Sequence, residues 1–220
     1  MQHELREFAD ADAVATAAAV FVAQRAREVI DASGQFTFAV SGGRTPWAMF
    51  EKLSASDIAW SDIVLYQVDE RIAPVGDSTR NLTNLKRSLG ERQPTIVAMP
   101  VNDHDLTVAA ATYAEELPAR FDLVHLGLGP DGHTASLIPG DPVLAVRDRL
   151  VAVTGVYQGE QRMTLTYGAL TRADQLLWLV TGEDKRSALS ALLRGDTTIP
   201  ASGVEAPSSI VMADTAALES

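Results

Sequence analysis

A chain of 220 residues, 46% of them hydrophobic, is long enough to bury a sizeable core and fits a single domain over residues 1–220. Its net charge of −11 argues against a general nucleic-acid binder or an anionic-membrane partner, but not against a small anion held by local arginines. There is no cysteine, which removes disulfides, thiol nucleophiles and thiolate metal sites. The opening residues MQHELREFAD lack a basic-then-apolar leader, and no apolar run approaches membrane-spanning length. The expected location is therefore cytoplasmic, and the expected assembly is a monomer or a weak homo-oligomer.

Asp10 to Ile30 is alanine-rich and reads as a long surface helix, capped by Asp10 or Asp12 and stopped by Ser33-Gly34. Gln35 to Val40 alternates as a strand and runs into Ser41-Gly42-Gly43-Arg44-Thr45-Pro46. Pro46 suits the first turn of a helix over Trp47 to Leu53. Backbone amides of such a glycine turn, together with the helix N-terminus, make an anion site, and Arg44 can add a charged fork. The motif is neither a Walker loop nor a dinucleotide fingerprint, so no nucleotide is implied. A tight turn without a ligand has the same sequence.

Ile63 to Val68 is a second buried strand, ending in Asp69-Glu70-Arg71. Three charges at such a strand end are costly unless paired, exposed or functional. Arg71 can reach a phosphate or pair with a carboxylate. Thr79 to Leu89 reads as a helix ended by Gly90, with Asn81 near its start either capping it or facing a site. Thr95 to Met99 is a short strand, and Asp105 to Leu117 is a helix stopped by Pro118.

Phe121 to Gly140, FDLVHLGLGPDGHTASLIPG, is the most informative stretch. Asp122 to Leu126 is a buried strand. Gly127, Gly129, Pro130 and Gly132 then force a tight turn carrying Asp131 and His133, and Thr134 to Leu137 is placed to begin a helix. A polar pair is thereby set at the carboxyl end of a strand, where open α/β sheets bind ligands. The Asp can hold and polarise the imidazole, which can then take a proton from water. Asp131 and His133 supply only two metal ligands, so no metal is expected. His125 lies inside an apolar strand and reads as a core residue; His3 and His104 carry no assigned role.

Leu150 to Thr154 is another strand. Gln161 to Thr166 alternates and puts Arg162, Thr164 and Thr166 on one face. Gln175 to Val180 is a buried strand followed by Thr181-Gly182 and a helix with Lys185 near its start, where a docked anion would offset the unfavourable dipole. Pro200 to Pro207 is a loop, Ile210 to Met212 a short strand, and Asp214 begins a terminal helical turn. Strand and helix alternation of this kind implies α/β architecture with a parallel sheet. Neither Ser41 nor Ser136 stands in a GxSxG elbow, which argues against a serine hydrolase.

Together, SGGRTP, VDER, GLGPDGHTASLIPG, RMTLT and the Gly182-to-Lys185 segment resemble the 6-phosphogluconolactonase family over nearly the whole chain, most specifically in DGHTASL. The resemblance implies a Rossmann-like three-layer sandwich, a mostly parallel sheet with helices on both faces, and no cofactor. It implies 6-phospho-D-glucono-1,5-lactone as substrate, a sugar-phosphate lactone of the oxidative pentose phosphate pathway. Asp131 and His133 then become the catalytic pair. Arg71, Arg162 and Lys185, with Arg44 next, become phosphate ligands, and amides around Ser41, Gly42, Gly43 and Gly132 become candidates for the ester oxygen or the phosphate. Asn81 is expected to face the substrate. Asp69 matches the proton-abstracting Asp of the related glucosamine-6-phosphate deaminases, and its part here is open between binding sugar hydroxyls and pairing with an arginine. The chain has Arg71 where that branch typically has Tyr, and TASLIPG where it has a carboxylate-bearing NEPG. It departs from the lactonase pattern at Ile138, at Met212 and in the stretch Asp77 to Asn81.

Overall fold

The structure is a computed structural model and describes residues 2–218. A seven-stranded sheet runs through it in the order β1-β10-β9-β6-β2-β3-β5, with every adjacent pair parallel. Its strands are β1 (Glu4–Phe8), β2 (Phe36–Val40), β3 (Ile63–Gln67), β5 (Thr95–Val97), β6 (Leu123–Leu126), β9 (Gln175–Val180) and β10 (Ser208–Asp214). A second, antiparallel sheet has the order β4-β8-β7, from β4 (Asp69–Arg71), β8 (Arg162–Leu165) and β7 (Val151–Val153).

Side-chain alternation along the parallel strands feeds two cores, one on each face. On one face Phe36, Phe38, Val40, Leu65, Leu177 and Met212 pack against α1 (Ala11–Ser33), α2 (Arg44–Leu53) and α3 (Asn81–Leu89). On the other face Ala39, Tyr66, Val124, Leu126, Trp178 and Val211 pack against α4 (Leu106–Glu115), α5 (Tyr167–Leu170), α6 (Arg186–Leu193) and α7 (Thr215–Leu218), joined by the second sheet. Burying each such aliphatic side chain contributes about 1.5–3 kcal/mol. This is the expected three-layer arrangement, with the principal sheet wholly parallel. Among the described residues, no helix is long and apolar enough to cross a membrane.

The caps of α1 fall where the sequence puts them. Asp10 accepts the Ala13 amide at 2.8 Å, and Gly34 closes the helix at φ 83°, donating to Ile30. Other boundaries move for tertiary reasons. The helix α2 begins at Arg44 rather than Trp47, because Gly43 takes the cap position. Residues 134–137 form no helix; Thr134 and Leu137 bridge to each other across a turn with Ala135 at φ 49°. The strand β10 runs beyond Ile210 to Met212 because β1 and β9 both pair with it.

The connectivity fixes the site. From β2 the chain steps outward through β3 to β5, whereas from β6 it steps the other way through β9 to β10. The connections leaving β2 and β6 therefore diverge, and a crevice opens at their carboxyl ends. Only Val68 separates β3 from β4, so the second sheet rises directly from this end of the principal one.

Candidate active site

A cavity of about 700 Å³ occupies this crevice. Ser41, Gly42, Gly43 and Arg44 line it from the turn after β2. A Cβ at Gly42 would stand 2.0 Å from Asn81 Oδ1, so a larger residue there would push the Asn81 side chain away from Asp69. Gly43 sits at φ 141° and leaves the first turn of α2 with no side-chain cap. The positive end of that helix, with Arg44 in its first turn, thus opens on the cavity. The Ser41 amide is committed elsewhere: it donates to His125 Nδ1 at 3.2 Å.

The VDER run divides by strand alternation. In β4, Asp69 pairs with Thr164 and Arg71 with Arg162, and Asp69, Arg71 and Arg162 all border the cavity. Burial pushes the Asp69 carboxyl up, against the opposing pull of the Ser136 hydroxyl and the Arg162 charge. Ser136 Oγ donates to Asp69 Oδ2 at 2.6 Å, and Asn81 Nδ2 donates to Oδ1 at 3.1 Å. Asn81 therefore does not cap α3. Glu70, on the opposite side of β4 and fully buried, does so instead. It accepts the amides of Asn81 at 2.7 Å and Leu82 at 2.9 Å, with Arg80 Nε 3.4 Å away. Arg71 Nε pairs with Glu160 Oε2 at 3.0 Å.

The turn after β6 carries Asp131 and His133. Gly129 donates its amide to His133 O at 2.8 Å, and Gly132 donates to Gly129 O at 3.0 Å. That second bond removes the Gly132 amide from the candidates for substrate binding. Gly132 also lies outside the cavity lining, at φ 81° against Ile199, where a Cβ would meet the isoleucine at 2.5 Å. Asp131 Oδ1 lies 2.5 Å from His133 Nδ1, and Oδ2 accepts from Tyr157 Oη at 3.1 Å. Partial burial works to raise the Asp131 carboxyl, but the His133 amide, the His133 ring and the Tyr157 hydroxyl outweigh it and hold the group below its usual range. An ionised carboxylate only accepts, so Nδ1 is the nitrogen that carries hydrogen and Nε2 of the neutral ring keeps its lone pair. His133 lines the cavity, whereas Asp131 stands behind it.

Arg162 is buried, and among the described residues its Nε has no hydrogen-bond partner; its guanidinium lies 5.2 Å from the Tyr157 ring centroid. Lys185 follows β9 at the end of a short 3₁₀ turn and pairs with Asp184 at 3.0 Å. Four cationic side chains, Arg44, Arg71, Arg162 and Lys185, thus face one cavity with a histidine–aspartate pair at its edge. An under-partnered buried guanidinium needs an anion, and a histidine with a free ring nitrogen offers a base. Sequence reasoning passed over Tyr157, Ser136, Glu160 and Glu70. Glu70 stood in VDER and Ser136 in DGHTASL, but the motifs did not show their partners; Ser136 meets Asp69 and Tyr157 meets Asp131 only through the fold.

The comparisons agree with this architecture. Residues 9–213 match the family described as Glucosamine-6-phosphate isomerases/6-phosphogluconolactonase. A 6-phosphogluconolactonase of Synechocystis is 37% identical over 189 residues, covering 80% of this chain and 78% of the relative. The crystal structure of a 6-phosphogluconolactonase from Shewanella baltica superposes with a TM-score of 0.87 at 26% identity, covering 97% of this chain and 98% of that one. A monomeric glucosamine-6-phosphate deaminase shares the fold at a TM-score of 0.86 and 17% identity, with 97% and 98% covered. The chain belongs to the glucosamine-6-phosphate isomerase/6-phosphogluconolactonase family.

Proposed function

We propose that the protein hydrolyses 6-phospho-D-glucono-1,5-lactone to 6-phospho-D-gluconate, the second step of the oxidative pentose phosphate pathway. The observation that carries this reading is the Asp131–His133 pair, at 2.5 Å, on the edge of a cavity lined by four cations. A lactone carbonyl is already electrophilic, so hydrolysis needs a placed water, a base and charge stabilisation. His133 Nε2 takes a proton from water as the water oxygen bonds to C1. The carbonyl oxygen becomes an oxyanion, with the Gly42 and Gly43 amides as its donors. The intermediate then collapses, the bond from C1 to the ring oxygen breaks, and the imidazolium returns its proton to that oxygen. The product acid ionises to water. General-base help of this kind is worth ~10²–10⁴ in rate. Arg162 and Lys185 hold the phosphate, with Arg71 and Arg44 beside them, and Asp69 and Asn81 meet sugar hydroxyls.

The test compares hydrolysis of freshly generated lactone, above its spontaneous rate and with EDTA present, with ammonia release from glucosamine-6-phosphate. Fast hydrolysis without ammonia is the expected result. Ammonia release without lactone hydrolysis would overturn the reading and make Asp69 the proton abstractor.

A further inference from the structure

We propose that Tyr157 is a positioning residue for the hydrolytic step, holding the Asp131 carboxylate so that Oδ1 stays aimed at His133. The inference rests on the reading of His133 as the base. Within its own turn the Asp131 carboxylate is held only through Oδ1, which also accepts the His133 amide at 3.2 Å, and its terminal torsion is otherwise broad. Here both oxygens are engaged from different elements. Oδ1 meets His133 Nδ1 at 2.5 Å, and Oδ2 accepts from Tyr157 Oη at 3.1 Å. The same tyrosine also restrains the imidazole directly, ring edge to ring face, with centroids 5.7 Å apart and planes at 70°. Arg162 lies over the Tyr157 ring at 5.2 Å, so one side chain touches the Asp, the His and the buried guanidinium.

Tyr157 is itself held. It opens a two-residue hairpin turn in which Gln158 is at φ 52° and Gly159 at φ 83°, the backbone of a type I′ turn. Tyr157 donates its amide to Glu160 O at 2.9 Å and receives the Glu160 amide at 3.2 Å. Glu160 pairs with Arg71 at 3.0 Å, which ties the far end of the turn to β4. Partial burial, followed by the Asp131 carboxylate, raises the Tyr157 phenol, so it stays protonated and able to donate. The titratable groups acting on Asp131 are His133 from its own turn and Tyr157 from the hairpin, and Arg162 acts on Tyr157.

The experiment compares wild type, Tyr157→Phe and His133→Ala for kcat, KM and the pH profile of kcat/KM on the phosphorylated lactone. Thermal unfolding serves as the folding control. Tyr157→Phe keeps the ring and removes only the hydroxyl. The expected result is a kcat lowered about tenfold, the loss of one hydrogen bond to a charged group, with KM nearly unchanged. The acid limb of the profile should also move to higher pH, because an Asp131 carboxylate that has lost a competing donor holds the protonated His133 ring more strongly. Wild-type kcat in Tyr157→Phe, or a fall in kcat with an unmoved limb, would overturn the proposal. Near-normal rates in His133→Ala would overturn the underlying reading of the base, whatever Tyr157→Phe does.

Discussion

The Ser41 amide donates to Nδ1 of His125 across the switch point of the sheet, joining the two strand ends between which the cavity opens. His125 is completely buried, its Nε2 has no partner among the described residues, and burial pushes the imidazole down to about 3. It is therefore neutral in the folded protein, with Nδ1 as acceptor. The unfolded chain protonates this residue near its ordinary value of 6.5, so between the two values the unfolded state binds more protons. Stability contributed by the neutral ring is complete above about pH 6.5 and is lost as pH falls below it. At about pH 5 the loss is ~2 kcal/mol. His125→Leu should cost about 1–3 kcal/mol at neutral pH by orphaning the Ser41 amide. The gap between the proteins should then narrow by ~2 kcal/mol on going to pH 5. Urea unfolding at the two pH values measures this, and a constant gap would show that the ring is not held neutral.

Glu70 makes the second prediction. One fully buried carboxylate caps α3 and faces the buried Arg80. Removing one partner of such a pair leaves an uncompensated charge, at a cost of about 3–5 kcal/mol. Glu70→Ala should lose about that much, and Arg80→Met in a Glu70→Gln background should recover part of the Glu70→Gln loss. Denaturant midpoints for the set decide it. A Glu70→Ala loss below about 1 kcal/mol would mean that water replaces the carboxylate at the helix end.

The contrast between Glu70 and His133 shows what was legible in the chain. Asp131, His133 and the glycines around them act within one turn, so spacing alone brings them together. The turn after β2 was readable for the same reason. In VDER the sequence offered three charges and no means of separating them; pairing of β4 with β8 does so, turning Asp69 and Arg71 to the cavity and Glu70 away. That pairing is non-local, as is the bond from Tyr157 to Asp131, 26 residues apart, and that from Ser136 to Asp69, 67 apart. The edge strand β1 was hidden likewise, since Glu4–Phe8 alternates weakly and pairs with β10 at the opposite end of the chain.

Gly129 allows the catalytic pair to be disturbed without altering either member. A Cβ at this position would lie 2.1 Å from His133 Nδ1 and 2.7 Å from Asp131 Oδ1. Its φ is not in the left-handed range, so alanine introduces no backbone strain there. Gly129→Ala should therefore push the imidazole off the carboxylate and lower kcat by ~10²-fold or more, while the thermal midpoint moves by only a few degrees. A variant with normal kcat would remove the pair from the mechanism.

The cations facing the cavity should not contribute equally to phosphate recognition. Arg71 already has a carboxylate partner in Glu160, with both side chains about a third exposed. A phosphate arriving there displaces an ion pair worth about 0.2–1 kcal/mol. Arg162 is buried and, among the described residues, its Nε is unpaired, so an anion there has no existing ion pair to displace. Loss of a charge-assisted bond at such a place costs about 1.5–3 kcal/mol, or roughly ten- to a hundredfold in kcat/KM. Arg162→Gln should accordingly reduce kcat/KM for the phosphorylated lactone by that factor and leave unphosphorylated gluconolactone little changed. Arg71→Gln should cost less, and Glu160→Gln should lower KM for the phosphorylated substrate a few-fold by freeing Arg71. Steady-state rates on both lactones give the comparison. Equal losses on both in Arg162→Gln would make that arginine a support for Asp69 and Tyr157, and the phosphate would then fall to Lys185 and Arg44.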